Sequence, residues 1–290
     1  MCSFVKINKI IRPFNKIINV PGDKSISIRA IILNSQSIGE SKIFNLLESE
    51  DVKNTILTMK KLGVKIIKKK NYHNISGVGL KGFVKKKQIN IYAGNSGTLA
   101  RLLCGVLSSY CCDVYITGDK SLSKRDFSRV IDPLKLFGVN FIGSRKKLPI
   151  KVRGTEFLKP INYIEKKGSA QVKSAIMLAS LHTDGLTTIK ALPSRNHTEL
   201  MFKNCLKLPI SIVKKNNLDI IKIKGKTNFK SFNYVVPGDI SSASFFIILT
   251  LLTKKSELII KNVNINPSRT GIIEILKRMK INIFLKNKRN

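Results

Sequence analysis

Four short loops recur in this chain at a nearly constant interval, and each opens an apolar helical pattern. They read Pro21-Gly22-Asp23-Lys24-Ser25, Ala93-Gly94-Asn95-Ser96-Gly97-Thr98, Lys167-Gly168-Ser169-Ala170-Gln171 and Pro237-Gly238-Asp239-Ile240-Ser241-Ser242. The glycines Gly22, Gly94, Gly168 and Gly238 stand 72, 74 and 70 residues apart. A fixed period of this size marks one supersecondary unit repeated along the chain. It also supplies several helix N-termini, whose unpaired N–H groups favour anions.

Two further features keep the same beat. Apolar residues at helical spacing (Val52, Ile56, Met59; Phe127, Val130, Ile131, Leu134; Leu200, Met201, Cys205, Leu206; Ile272, Ile275, Leu276, Met279) run into short β-prone stretches at 64–67, 210–213 and 281–285. A strand ending in glycine then follows at 75–79, 150–154 and 221–225. One unit is therefore loop, helix, strand, helix, strand, strand, an α/β repeat. Three units run over 21–236 and a fourth begins at 237. Pro133 inside the second helix of one unit predicts a kink, or a restart capped by Asp132.

The chain has 290 residues with 53 Lys+Arg against 17 Asp+Glu, a formal charge of +36. Such an excess raises nucleic acid or an acidic membrane as partners. The lysines are scattered among abundant Ile and Asn, with no interleaved aromatics to stack bases. They read as solvated surface, and Lys68-Lys69-Lys70 and Lys85-Lys86-Lys87 as hairpin or loop edges. The five cysteines form no C-x-x-C pair, and the three histidines lack metal-ligand spacing. A reducing, cytoplasmic setting is expected. The segment 1–20 is too polar for a signal peptide, and the apolar run 245–252 is too short to span a membrane and reads as a buried helix.

The candidate binding residues cluster at the loops. Lys24, Ser25 and Arg29 join a cation, a hydroxyl that can cap the helix, and a second cation one turn on. Gly97 permits close backbone approach, with Asn95, Thr98 and Arg101 around it. Ser169 and Gln171 add a hydroxyl and an amide suited to a polyol, with Lys173 and Ser174 following. Arg125 and Arg195 each precede a helix and can clamp a carboxylate. Thr198 and Glu199 read as caps of the helix after Arg195. Each loop taken alone is equally an ordinary cap with solvated cations. Packing of the repeats around a pseudo-threefold axis would bring them to one place.

The order of these motifs is similar to a known family. Pro21-Gly22-Asp23-Lys24-Ser25-Ile26-Ser27-Ile28-Arg29, Gly94-Asn95-Ser96-Gly97-Thr98 through Arg101, Ser169-Ala170-Gln171-Val172-Lys173-Ser174-Ala175, and Arg195-Asn196-His197-Thr198-Glu199 resemble signatures of 5-enolpyruvylshikimate-3-phosphate synthase (3-phosphoshikimate 1-carboxyvinyltransferase). Pro237-Gly238-Asp239 and Asn266-Pro267-Ser268-Arg269-Thr270-Gly271 match as well. The resemblance implies an inside-out α/β barrel: two domains of three βαβαββ units each. It implies transfer of the enolpyruvyl group of phosphoenolpyruvate to the 5-hydroxyl of shikimate 3-phosphate, in aromatic amino acid biosynthesis, without metal or organic cofactor. By motif position Lys24, Ser25, Arg29, Ser169, Ala170, Gln171 and Arg195 would hold shikimate 3-phosphate. Lys24, Gly97, Arg125 and Gln171 would hold phosphoenolpyruvate.

The chain departs from the family pattern at several points. Ile28 replaces a His. Asp126 replaces a Pro beside Arg125, where it would be expected to pair with that guanidinium and weaken its hold on substrate. Asn196 replaces an Asp, and Ile240 a Pro. Six units need roughly 430 residues, so 237–290 is expected to be the first unit of an incomplete second domain, with 1–20 adding strands to it. The catalytic acid and base of the family would lie beyond this chain, and their positions here are unknown. The expectation is an eroded or split synthase, either an inactive substrate-binding remnant or one that works with a complementing C-terminal chain. Two alternatives remain at this stage: the related transferase acting on UDP-N-acetylglucosamine, and a basic nucleic-acid-binding protein on the same scaffold.

Overall fold

The computed structural model describes residues 11–142 and 146–286. Residues 1–10 and 287–290, part of the expected terminal pieces, lie outside the described residues. In chain order the elements are β1 (Asn15–Asn19), α1 (Lys24–Ser35), β2 (Ile38–Phe44), α2 (Glu50–Lys61), β3 (Lys65–Lys68), β4 (Tyr72–Val78), β5 (Gln88–Tyr92), α3 (Gly97–Val106), β6 (Asp113–Thr117), α4 (Ser128–Leu136) and β7 (Asn140–Ile142). There follow β8 (Ile150–Arg153), β9 (Asn162–Glu165), α5 (Ala170–Ser180), β10 (Leu186–Ala191), α6 (His197–Leu200), β11 (Ile210–Lys215), β12 (Leu218–Lys224), β13 (Tyr234–Val235), α7 (Ile240–Leu252), β14 (Glu257–Lys261) and α8 (Gly271–Arg278). A π-helical turn, Met201–Cys205, continues α6.

The chain forms two compact units. Lys24–Val236 is the larger, and the segments before Lys24 and after Val236 make the smaller. The larger contains the repeat in three copies. Each copy is a four-stranded sheet of one order: β13-β2-β4-β3, β5-β6-β8-β7 and β9-β10-β12-β11. In each the first pair is parallel and the others antiparallel. The first sheet draws its leading strand, β13, from the end of the unit rather than from before α1. The strand before α1, β1, instead pairs in parallel with β14 in the smaller unit.

The first helix of each copy is buried over most of its length because it lies inside. Ile28, Ile31 and Ile32 of α1, Leu99, Leu102 and Leu103 of α3, and Ala175, Ile176 and Met177 of α5 are all 0% exposed. The second helices α2 and α4 are amphipathic, burying Val52 and Met59, or Val130 and Leu134, and turning charged residues outward. Gly105 lets α3 lie directly on α5, since a methyl group there would stand 2.2 Å from the Ala175 carbonyl oxygen.

The three inner helices end together. His182, just past α5, bonds Ser109 Oγ through Nδ1 at 2.9 Å and Gln36 Oε1 through Nε2 at 3.2 Å, joining the chain beyond α3 and beyond α1. Three glycines seat the sheets on these ends. A methyl at Gly77, Gly154 or Gly225 would come within 2.4, 2.4 or 2.3 Å of carbonyl oxygens leaving α1, α3 and α5. The equivalent glycine in the first copy is thus Gly77. Gly79 is needed for a different reason, a left-handed turn at φ +76°.

Burial, with a smaller effect from Lys81, pushes the His182 imidazole down to about 4 from its ordinary 6.5. The folded protein therefore binds its proton only at lower pH than the unfolded chain does. This contribution to stability is whole above pH 6.5 and is lost as the pH falls toward the folded value, by up to about 3 kcal/mol. His182→Gln should flatten the difference between urea midpoints at pH 7 and pH 4.5 relative to the parent.

In the smaller unit Val20, Ile240, Ala243 and Ile273 form the core. The two Pro-Gly-Asp segments pair with each other: Asp23 N–H donates to the Pro237 carbonyl at 2.8 Å, and Asp239 N–H to the Pro21 carbonyl at 2.9 Å. Arg269 holds Asp239 at 3.0 Å and Ser241 at 2.7 Å. The helix expected to be buried over 245–252 is not: α7 buries only Ile240 and Ala243, because the small core takes one face of it, and Phe245 and Leu252 are 78% and 79% exposed.

Three local expectations are corrected. Residues 281–285 are not a strand, because no neighbour among the described residues offers them a ladder. Helix α1 begins at Lys24, so Ser25 sits inside its first turn rather than at its cap. Helix α4 runs through Pro133 without restarting, and Asp132 pairs with Lys146 at 2.9 Å.

Candidate functional site

Helices α1, α3 and α5 run side by side in the same sense, so their N-termini also gather. Ser96 caps α3, accepting from Leu99 N–H at 3.2 Å, and Ser169 caps α5, accepting from Val172 N–H at 3.4 Å. The third loop is fixed from below by Glu165, which is 4% exposed. Its carboxylate accepts from Ser169 N–H at 2.9 Å and Lys167 N–H at 3.2 Å, and meets Arg129 at 3.3 Å.

Gln171 ties the third loop to the second. Its Oε1 accepts from Arg101 Nη1 at 3.0 Å, and its Nε2 donates to Thr98 Oγ1 at 3.0 Å. An amide has two donors and two acceptor lone pairs, so one of each is left for a ligand. Arg101 also donates to the Asp126 carbonyl at 3.1 Å and lies over the Phe127 ring, 4.8 Å from its centroid. Burial, and after it the like charge of Arg125, lowers its pKa. Two guanidiniums thus converge on Gly97, where a methyl group would stand 2.7 Å from Arg101 Nη1 and 3.1 Å from Arg125 Nη1.

Arg125 itself is exposed and donates to Asn95 Oδ1 at 2.7 Å, while Asn95 donates to Asp119 at 2.6 Å. The expected Arg125–Asp126 pair does not form. The Asp126 carboxylate turns instead to Ser128, at 2.8 Å from its N–H and 2.5 Å from its hydroxyl, and the hydroxyl bond is the main cause of its lowered pKa.

The first loop is held differently. Lys24 is half-exposed and pairs with Asp51 at 2.9 Å. Such an exposed pair contributes at most about 1 kcal/mol, little for an anion to displace. Arg29, expected to hold shikimate 3-phosphate, is only 4% exposed. Its Nε donates to Thr198 Oγ1 at 2.7 Å, Nη2 to Ser174 Oγ at 2.9 Å and Nη1 to the Ser25 carbonyl at 3.0 Å. The Ser174 and Thr198 hydroxyls lie 2.7 Å apart. Arg29 therefore knits α1, α5 and α6 together. Thr198 and Glu199 are not caps: Thr198 serves Arg29, and Glu199 meets the buried Lys173 at 2.6 Å. Arg195 is exposed at the head of α6, and Ser25, Ser169 and Ala170 are half-buried around the helix starts. The sequence did not point to Glu165, and it named Arg101 beside Gly97 without joining it to the candidate binding set, although one-turn spacing brings its guanidinium to Gly97 and Gln171.

The family model for EPSP synthase (3-phosphoshikimate 1-carboxyvinyltransferase) matches residues 8–289. The chain belongs to the EPSP synthase family. Among curated members it is 42% identical over 282 residues to the 3-phosphoshikimate 1-carboxyvinyltransferase of Vesicomyosocius okutanii subsp. Calyptogena okutanii, covering 96% of this chain and 63% of that protein. Identity to the enzyme of that name in Thermoanaerobacter sp. (strain X514) is 44% over 276 residues, 94% of this chain and 63% of the relative. The structure of EPSP synthase from Acinetobacter baumannii superimposes with a TM-score of 0.87 at 37% identity, covering 96% of this chain and 62% of that one. The chain thus spans under two thirds of the length of these EPSP synthases. The α/β fold expected from the repeat is the fold of the family. Among the described residues no helix is long and apolar enough to cross a membrane.

Proposed function

We propose that this chain contributes the shikimate 3-phosphate site, and part of the phosphoenolpyruvate site, of an enolpyruvyl transferase acting in chorismate and aromatic amino acid biosynthesis in the cytoplasm. The observation that carries this reading is Gln171. It bridges the second and third loops while keeping a donor and an acceptor, beside two guanidiniums that meet at Gly97. Both substrates are multiply anionic, and charge-assisted hydrogen bonds of roughly 1.5–3 kcal/mol each suit them.

In this reading Lys24, Ser25, Ser169, Ala170, Gln171 and Arg195 hold shikimate 3-phosphate, with Arg29 organising Ser25 and α6 behind them. Lys24, Gly97, Arg125 and Gln171, joined by Arg101, hold phosphoenolpyruvate. The 5-hydroxyl oxygen adds to C2 of phosphoenolpyruvate as C3 gains a proton. Loss of inorganic phosphate and of a C3 proton then leaves the enol ether. The groups that move those protons lie in a segment corresponding to the part of the relatives' length that this chain does not span, and that segment can be supplied as a complementing C-terminal chain. Residues 1–20 and 237–290 belong with that segment in a second domain. The names of the relatives favour shikimate 3-phosphate over a UDP-sugar.

The test is titration calorimetry followed by phosphate release. The 290-residue chain should bind shikimate 3-phosphate but not UDP-N-acetylglucosamine, and should release phosphate from the substrate pair only when the complementing segment is added. Failure to bind shikimate 3-phosphate would overturn the reading. Gly97→Ala should push the two guanidiniums aside and weaken phosphoenolpyruvate binding about tenfold, while shikimate 3-phosphate affinity stays within about twofold.

A further inference from the structure

Lys173 is 0% exposed on the first turns of α5. Its ammonium lies 2.6 Å from Glu199 Oε1 on α6 and 3.9 Å from Asp219 Oδ2 on β12. The cluster holds one positive and two negative groups in the interior. Among the described residues Glu199 Oε2 and Asp219 Oδ1 have no hydrogen-bond partner, and the Lys173–Glu199 contact is not aligned as a hydrogen bond. An incompletely satisfied buried ion cluster is a poor source of stability, because desolvation offsets the attraction.

Its position explains it better. Lys173 is the chain neighbour of Ser174, and Glu199 of Thr198, the two hydroxyls that grip Arg29. Helix α6 has four residues before the π-helical turn, too few to hold its own place by helical hydrogen bonds. The ion pair fastens α6 to α5 on one side while Thr198 and Ser174 meet Arg29 on the other.

We infer that Lys173, with Glu199 and Asp219, is a positioning cluster that sets α6 against α5, keeping Arg29 in its bridge between them and Arg195 at the head of α6 in place for the phosphorylated ligand. The ligand part of this inference rests on the function proposed above; the placement of α6 does not.

The experiment compares the parent chain with the near-isosteric, uncharged variant Lys173→Met/Glu199→Gln/Asp219→Asn. Glu199→Asp, which keeps every charge and shortens the reach by one methylene, is run beside it. His182→Gln serves as a control that lowers stability away from the site. Amide hydrogen exchange over residues 195–200 and shikimate 3-phosphate titration are read well below the melting temperature of each. The uncharged variant should melt near the parent, yet exchange about tenfold faster over 195–200 and bind about tenfold more weakly, with Glu199→Asp between the two and His182→Gln unchanged in both. Parent-like exchange and affinity in the uncharged variant would overturn the inference. Should that variant not fold, parent-like behaviour of Glu199→Asp overturns it instead. If the parent itself binds no shikimate 3-phosphate, the proposed function fails while the exchange over 195–200 still decides the placement of α6.

Discussion

Replacing Gly225 by alanine should lower the stability of the larger unit by about 3 kcal/mol or more, a fall in melting temperature of roughly 6–12 °C. The added methyl would meet the carbonyl oxygens of Ser180 and Thr183, both at 2.3 Å, and the Thr183 hydroxyl at 2.8 Å. Backbone atoms at a helix end cannot swing aside as a lysine tip can, so the strand or the helix must move. The same substitution at Gly154 meets Leu107 and Ser108 carbonyls at 2.4 Å and should have a similar effect. Gly271→Ala is the control, since nothing lies within 4 Å of its added methyl. Thermal unfolding followed by circular dichroism would show the contrast. Equal melting temperatures for the Gly225 and Gly271 variants would refute the account of how sheets seat on helix ends.

Gln171→Ala is expected to weaken both phosphoenolpyruvate and shikimate 3-phosphate by roughly 30–100-fold in titration calorimetry, with little loss of stability. Two effects add. The ligand loses an amide that donates and accepts, and Arg101 loses the acceptor that holds it at 3.0 Å beside Gly97. Gln171→Glu separates them. It keeps an acceptor for Arg101 but removes the amide donor and adds a negative charge, so it should bind these anions more weakly than the alanine variant. A glutamate variant that matches the parent would remove Gln171 from the site.

Much of the fold was written in the period of the loops, because a repeat constrains every copy at once. Apolar patterns opened by the loops pointed to helices at α1, α3 and α5, and α2 and α4 showed the helical stripe; the apolar run in α7 read as buried, yet composition alone does not say whether a second layer covers it. That β13 would lead the first sheet left no mark on the sequence, since strand pairing depends on where a segment lands and not on its own residues. The site was legible as residue types at loop positions. Its wiring was not: Thr198 and Glu199 look like cap residues in any helix opening, and only the packing of α6 against α1 and α5 turns them toward Arg29 and Lys173. Arg29 read as a ligand-holding cation, and one-turn spacing from Lys24 does not reveal that its donors are taken by Thr198, Ser174 and the Ser25 carbonyl. Asp126 was read against Arg125 from adjacency alone, and the shorter reach to Ser128 decided otherwise.

The bare flank of α7 bears on how this chain behaves in a tube. Phe245, Phe246, Leu251 and Leu252 leave apolar side chains exposed along one helix, and a formal charge of +36 keeps copies of the molecule apart. That repulsion has a range of about 8 Å at physiological ionic strength and shrinks as salt is added. Colloidal behaviour should therefore run opposite to that of a sticky polycation: clear and monodisperse in dilute buffer, and increasingly turbid as sodium chloride rises, with Phe245→Ser/Leu252→Ser restoring clarity.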